Sequence, residues 1–137
     1  MRGDAIYRYL RCAYDLHLRG EYITPKSMAK ELNVKRPTAF EFIKKLEERG
    51  YLLRDEGGYI LTNLGIQEAE RVLRNHRLIE TLLYRAGVSL DDACLLASKI
   101  EMDIADIDVE RICEYLGNPT SCPHGKPIPR GEKFERN

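Results

Sequence analysis

The chain has 137 residues, 43% of them hydrophobic, and its 22 Lys and Arg balance 22 Asp and Glu. That length allows one core, or a small domain with a helical extension, and no apolar run is long enough to span a membrane. Four scattered cysteines without a Cys-x-x-Cys pair exclude a zinc knuckle and a secreted disulfide framework; no signal peptide opens the chain, so a cytoplasmic protein is expected.

The neutral total hides an asymmetry. Residues 1–63 hold 12 Lys and Arg against 9 Asp and Glu, and residues 64–137 hold 10 against 13. A basic front and an acidic back fit a nucleic-acid-facing domain followed by a regulatory or assembly domain. The expected boundary is 1–63 and 64–137.

A first helix is expected from Asp4 to Leu18, with Ile6, Leu10, Ala13, Tyr14 and Leu18 on one stripe and Gly20 ending it. Pro25 opens a short second helix with Met28, Ala29 and Leu32 inward, and Asn33-Val34 makes a tight turn. A third helix is expected from about Arg36 to Arg49, burying Ala39, Phe42, Ile43 and Leu46, with Gly50 as its stop. Two β-like runs, Tyr51–Arg54 and Tyr59–Thr62, flank Asp55-Glu56-Gly57-Gly58, a composition suited to a hairpin tip. Helix, turn, helix and hairpin in this order make a winged helix-turn-helix, whose second helix enters a major groove. The same unit also serves as a protein-interaction module, so an adaptor without DNA remains an alternative.

On the DNA reading, Lys35 and Arg36 meet phosphate, and Pro37 suits the first helical turn. Thr38 and Glu41 face outward near base edges, Lys44 and Lys45 continue that face, and Arg54 on the wing is a phosphate partner.

A long amphipathic helix is expected from Leu64 to Arg85, with Ile66, Ala69, Val72, Leu73, Leu78, Ile79, Leu82 and Leu83 apolar and Thr62 or Asn63 as cap. Its length beyond a complete winged domain suggests pairing with the same helix of a second subunit. Ser89 caps a helix over about Leu90 to Met102, and another runs from about Asp108 to Leu116 before Gly117-Asn118-Pro119. The proline-rich remainder is expected to be extended, with a frayed C-terminus. The fold class is therefore mainly α with a small β-hairpin: a winged domain, then a helical dimerisation domain. No partnered nucleophile or phosphate loop points to an enzyme.

These features together resemble the diphtheria-toxin-repressor family of iron- and manganese-dependent transcriptional repressors. The resemblance rests on YLRCAYDL (Tyr9–Leu16), the winged unit, NHRLIE (Asn75–Glu80), the helix pair and CPHGKPIP (Cys122–Pro129). It implies a homodimer on an inverted-repeat operator, in a short form that stops before an SH3-like domain. It also implies a divalent metal, iron or manganese with zinc possible, on His76, Glu80 and Cys94, with Glu101 as a fourth ligand. The spacing of four puts His76 and Glu80 on one helical face. Cys122 and His124 are near each other and can bind metal, though the family pattern favours packing of the tail. Arg8, Arg11, Ser98 and Met102 replace ligands of the family's other site, which implies that this second site is dismantled. A metal-independent regulator is the alternative, locked by ion pairs of Arg8 and Arg11 with Glu101 or Asp103, or responsive to thiol oxidation at Cys94.

Overall fold

The computed structural model describes residues 2–130, with side chains from Ala5 onward. It divides into two compact units between Ala69 and Glu70, inside a long helix.

The first unit holds α1 (Arg2–Leu18), α2 (Pro25–Leu32), α3 (Arg36–Glu48), β1 (Leu52–Asp55), β2 (Gly58–Leu61) and the opening of α4 (Asn63–Arg85). Its core is apolar: Ile6, Leu10, Ala13, Leu16, Ile23, Met28, Ala39, Ile43 and Leu46 are all buried. Leu16 continues the α1 stripe in place of the expected Leu18, which is 64% exposed; helical spacing from Ala13 reaches Leu16 and overshoots at Leu18. Phe42 is half-buried and stacks on Tyr9 with ring centroids 4.1 Å apart. Cys12 is a core hydrophobe, and burial pushes its thiol up to about 11.

Local chemistry sets the ends of these elements. Thr24 and Ser27 form a reciprocal capping box at α2, each side chain taking the other's backbone N–H at 3.0 Å. Asn33 ends α2 in the left-handed region (φ 55°), which produces the turn into α3. The hairpin is tighter than expected, since Asp55 pairs with Gly58 and only Glu56-Gly57 lie between the strands. Gly57 permits this: a Cβ there would lie 2.5 Å from the Tyr22 ring. Ile23 adds one antiparallel bridge to Tyr59. Thr62 is the cap of α4, its Oγ1 accepting from Gly65 N at 3.0 Å.

The second unit holds the rest of α4, then α5 (Leu90–Ile100) and α6 (Asp106–Tyr115). Ser89 caps α5 through Asp92 N, as its position suggests. Leu78, Val109, Cys113, Leu116, Cys122 and Ile128 form one apolar cluster, with Leu82 packed against it. The stripe of α4 is thus covered in part by its own subunit, and Leu82 serves that core. The tail differs from the extended chain expected. Cys122 N donates to Lys126 O, Gly125 N to Cys122 O and Ile128 N to Thr120 O, which closes a small loop. Cys122 and Ile128 supply enough apolar contact to fold it back. The C-terminus expected to fray lies outside the described residues. Among the described residues, no helix is long and apolar enough to cross a membrane.

Candidate metal centre and nucleic-acid interface

Among the described residues, six polar or charged side chains are buried, namely Arg74, Asn75, His76, Glu80, Thr81 and Glu101. All belong to the second unit, and five lie within two turns of α4. Buried polar groups need partners, and a buried charge left unmatched costs several kcal/mol. Three of the six have ordinary structural partners. Arg74 makes a two-pronged pair with Glu110 at 2.9 Å and donates to Pro129 O. Asn75 Nδ2 donates to Glu101 O at 2.9 Å, and Thr81 Oγ1 to Arg77 O at 2.6 Å. Arg77 also donates to Pro127 O, so two arginines of α4 hold the tail loop.

His76 and Glu101 form a different arrangement. His76 Nδ1 is 2.8 Å from Glu101 Oε1. An ionised carboxylate accepts there from Nδ1–H, and Nε2 faces Cys94 Sγ at 3.6 Å. A carboxylate so placed can orient an imidazole whose other nitrogen ligates a metal. Glu101, expected as a fourth ligand, places one carboxylate oxygen against the imidazole. Within the first unit, the Arg8 guanidinium donates to Leu32 O.

Glu80 is 1% exposed. His124 Nδ1 comes within 2.8 Å of its Oε2, yet the contact lacks hydrogen-bond geometry and Oε2 has no hydrogen-bond partner. An imidazole nitrogen this close to a buried carboxylate oxygen that lacks a hydrogen-bond partner is an arrangement that a cation held by both would satisfy. Two ligand sets meet at Glu80: His76, Glu80 and Cys94 in one, and Glu80, Cys122 and His124 in the other. Within each set the donor atoms lie within 4.8 Å of one another. Each set offers one imidazole nitrogen, one sulfur and one carboxylate oxygen, donors suited to iron(II), zinc or cobalt. Cys122 also belongs to the apolar cluster, so it both packs the tail and stands in a ligand set. The sequence hints at this second role through the Cys-x-His spacing, but not at its partner, because Glu80 is 42 positions earlier.

In the first unit, Lys35 and Arg36 are exposed at the start of α3, whose N-terminus has no side-chain cap. Its first amides are therefore open to an anion. Pro37 is exposed, Thr38 half-buried and Glu41 exposed. Lys44 pairs with Glu47 at 2.9 Å, and the Lys45 ammonium lies 4.8 Å from the Phe42 ring centroid. Arg54 reaches the Tyr59 hydroxyl at 3.4 Å, which lays it along the wing.

Comparison with known proteins finds two family domains, one after the other in the chain. Residues 3–56 match the iron-dependent repressor N-terminal DNA-binding domain, and residues 62–130 match the iron-dependent repressor metal-binding and dimerisation domain. The chain is 33% identical over 129 residues to the iron-dependent repressor IdeR of Mycobacterium tuberculosis, covering 92% of this chain and 56% of that protein. Its structure resembles that of the manganese regulator SloR, with a TM-score of 0.79 and 35% identity, covering 91% of this chain and 59% of that one. A hypothetical protein from Sulfolobus solfataricus matches with a TM-score of 0.78 and 31% identity, covering 90% of this chain and 96% of the other. The chain thus spans a little over half of IdeR and SloR. With a winged DNA-binding unit, a ligand-bearing helical unit and both family domains matched in order, the chain belongs to the iron-dependent repressor family of metal-dependent, DNA-binding transcriptional regulators, which are not enzymes.

Proposed function

We propose that this protein is a cytoplasmic repressor whose operator affinity is set by a divalent metal held at Glu80. The observation that carries the reading is Glu80 itself, a fully buried carboxylate with an unsatisfied oxygen and a histidine and cysteine on either side. A buried carboxylate left unmatched is costly, and a cation at this position would complete it. His76 and Cys94 are its partners from α4 and α5, with Glu101 holding the His76 ring in place. Sulfur among the donors favours iron(II) or zinc over manganese.

When bound, the metal supplies positive charge that neutralises Glu80 and joins α4 to α5. The chain does the rest. Helix α4 is continuous from the winged unit into the metal-bearing unit, so ordering its second half restrains its first. Lys35, Arg36 and the open α3 amides then engage phosphates, while Thr38 and Glu41 approach base edges. The second copy needed for an inverted repeat docks on α5, where Leu95, Leu96 and Ile100 are 57%, 43% and 44% exposed.

Selection of bound fragments from sheared genomic DNA, with iron(II) or with chelator, tests the reading. An inverted repeat recovered only with metal is the expected result. Equal recovery with chelator would favour the metal-independent regulator, and no recovery under either condition would favour the adaptor.

A further inference from the structure

Helix α3 offers solvent an aromatic ring and an acid where a helix bound for DNA would be expected to offer cations. Phe40 is 44% exposed and Glu41 is exposed beside it, while Ala39, Ile43 and Leu46 take the buried face. We propose that these two side chains set the operator sequence. In each half-site the Phe40 ring packs on a thymine methyl, and the Glu41 carboxylate accepts from the N4 amino group of a cytosine at the neighbouring base pair. The proposal rests on the reading of α3 as the groove helix and goes beyond it in naming the bases and the chemistry that reads them.

Three observations support it. First, both residues lie on the face that a groove would meet. Pro37, Phe40, Glu41 and Lys44 recur at helical spacing, and all four are exposed. Lys35 and Arg36 stand just before them at the uncapped start of the helix, where phosphates are engaged. Phe40 and Glu41 come one turn later, in the part of such a helix that reaches base edges. They are consecutive, about 100° apart around the helix, so they reach neighbouring base pairs rather than one. Second, the two aromatic rings of α3 are used differently. Phe42 stacks on Tyr9 at 4.1 Å and has the Lys45 ammonium 4.8 Å from its centroid. Phe40 keeps much of its ring in water, and that surface stabilises a complex only where apolar surface covers it. The apolar group that the major groove offers is the C5-methyl of thymine.

Third, the lysines within one turn of Glu41 are engaged elsewhere. Lys44 pairs with Glu47 at 2.9 Å, and Lys45 lies over Phe42. A carboxylate brought into the groove is repelled by phosphates and by the acceptors of guanine (O6 and N7), thymine (O4) and adenine (N7). Adenine also has an amino donor, but next to its N7 acceptor. Cytosine is the base whose major-groove edge presents a donor alone. Glu41 thus selects by exclusion: it weakens binding at other base pairs, and cytosine N4 offsets the repulsion.

Selection of bound duplexes from a random library, by the full chain with iron(II) under anaerobic conditions, tests the proposal. The wild type should enrich an inverted repeat with a T·A pair beside a C·G pair in each half. Replacing that thymine by uracil removes only the methyl, and should weaken wild-type binding about fourfold for each methyl lost. Phe40→Ser should bind the thymine and uracil duplexes equally. Exchanging the C·G pair for T·A puts an acceptor where the amino donor was, and should cost the wild type about tenfold. Glu41→Gln should bind random duplex more tightly and move the preference at that position to adenine, which glutamine reads through N6 and N7. The two wild-type measurements stand even if a variant fails to fold. An enriched repeat that tolerates uracil overturns the role of Phe40. A repeat indifferent to the C·G exchange, or a Glu41→Gln protein that selects the wild-type bases, overturns the role of Glu41. Each of these results leaves the DNA-binding regulator intact. Enrichment of no duplex by the wild type overturns both the base assignment and the reading of α3 as the groove helix.

Discussion

The two units of this chain use buried space in opposite ways. Up to Ala69 the recorded buried side chains are hydrophobic, and polar groups work at the surface as caps and turn formers. After Glu70 all six recorded buried polar or charged residues appear, most of them on one helix. The first unit is built as a fold that presents a surface. The second accepts buried charge that stability alone would not select, which is where local rules are expected to fail for the sake of a site.

Core substitutions should separate the units most sharply. Ile43→Ala, fully buried in the first unit, should lower unfolding free energy by about 2–5 kcal/mol, with metal stoichiometry kept in the folded protein. Glu80→Met in the second should do the reverse. It should raise the stability of the metal-free protein by about 1–4 kcal/mol and abolish the metal-induced rise in melting temperature. Denaturation with and without zinc measures both. A Glu80→Met protein less stable than the wild-type apo-protein would mean that the carboxylate is structural.

The next effect is finer. Glu101→Gln keeps the size of the side chain but weakens its hold on His76 Nδ1. Zinc affinity by competition with a chromophoric chelator should drop about 10–100-fold without loss of a binding equivalent. Loss of a whole equivalent would place Glu101 in the ligand set.

Smaller again is the cap of α2. Thr24→Ala removes one half of a reciprocal box and should cost about 0.5–2 kcal/mol, with zinc affinity unchanged. The smallest effect is an alkaline one. Cys12 in the fold holds its proton up to about 11, against about 8.5 for a free thiol. A raised value favours the protonated, folded form, so its contribution is complete below the free value and is lost as pH rises through about 11. Denaturant midpoints should fall over that alkaline window in the wild type and less so in Cys12→Ala. Alkylation of Cys12 in the native protein near neutral pH would contradict its burial.

The same contrast explains what was legible in the sequence. The winged unit follows from periodicity and punctuation: apolar spacing in α1 to α3, Asn33 and Gly50 as stops, and glycines at the hairpin tip. Its misses are small and local. Leu18 lies off the stripe because helical spacing from Ala13 reaches Leu16, and the hairpin tip is shorter because Gly57 fits under Tyr22. In the second unit the helices were readable but their partners were not. His76 and Glu80 share a face by spacing alone, yet the approach of Cys122 and His124 to Glu80 depends on the tail folding back. That fold is driven by Ile128 and Cys122 entering a cluster with α4 and α6, a tertiary contact that no local pattern announces. The 2.8 Å approach of Glu101 to the His76 ring is likewise a tertiary contact between α4 and the end of α5, beyond the reach of spacing along one helix.

The central claim is that buried ligands in the second unit govern the surface presented by the first. Affinity for the selected operator duplex, measured at fixed salt against free iron(II) for wild type and His76→Ala, tests it most directly. The account predicts a steep gain in wild-type affinity with metal and a flat, weak response in His76→Ala that retains its salt dependence. Equal, metal-independent affinity in both proteins would contradict it.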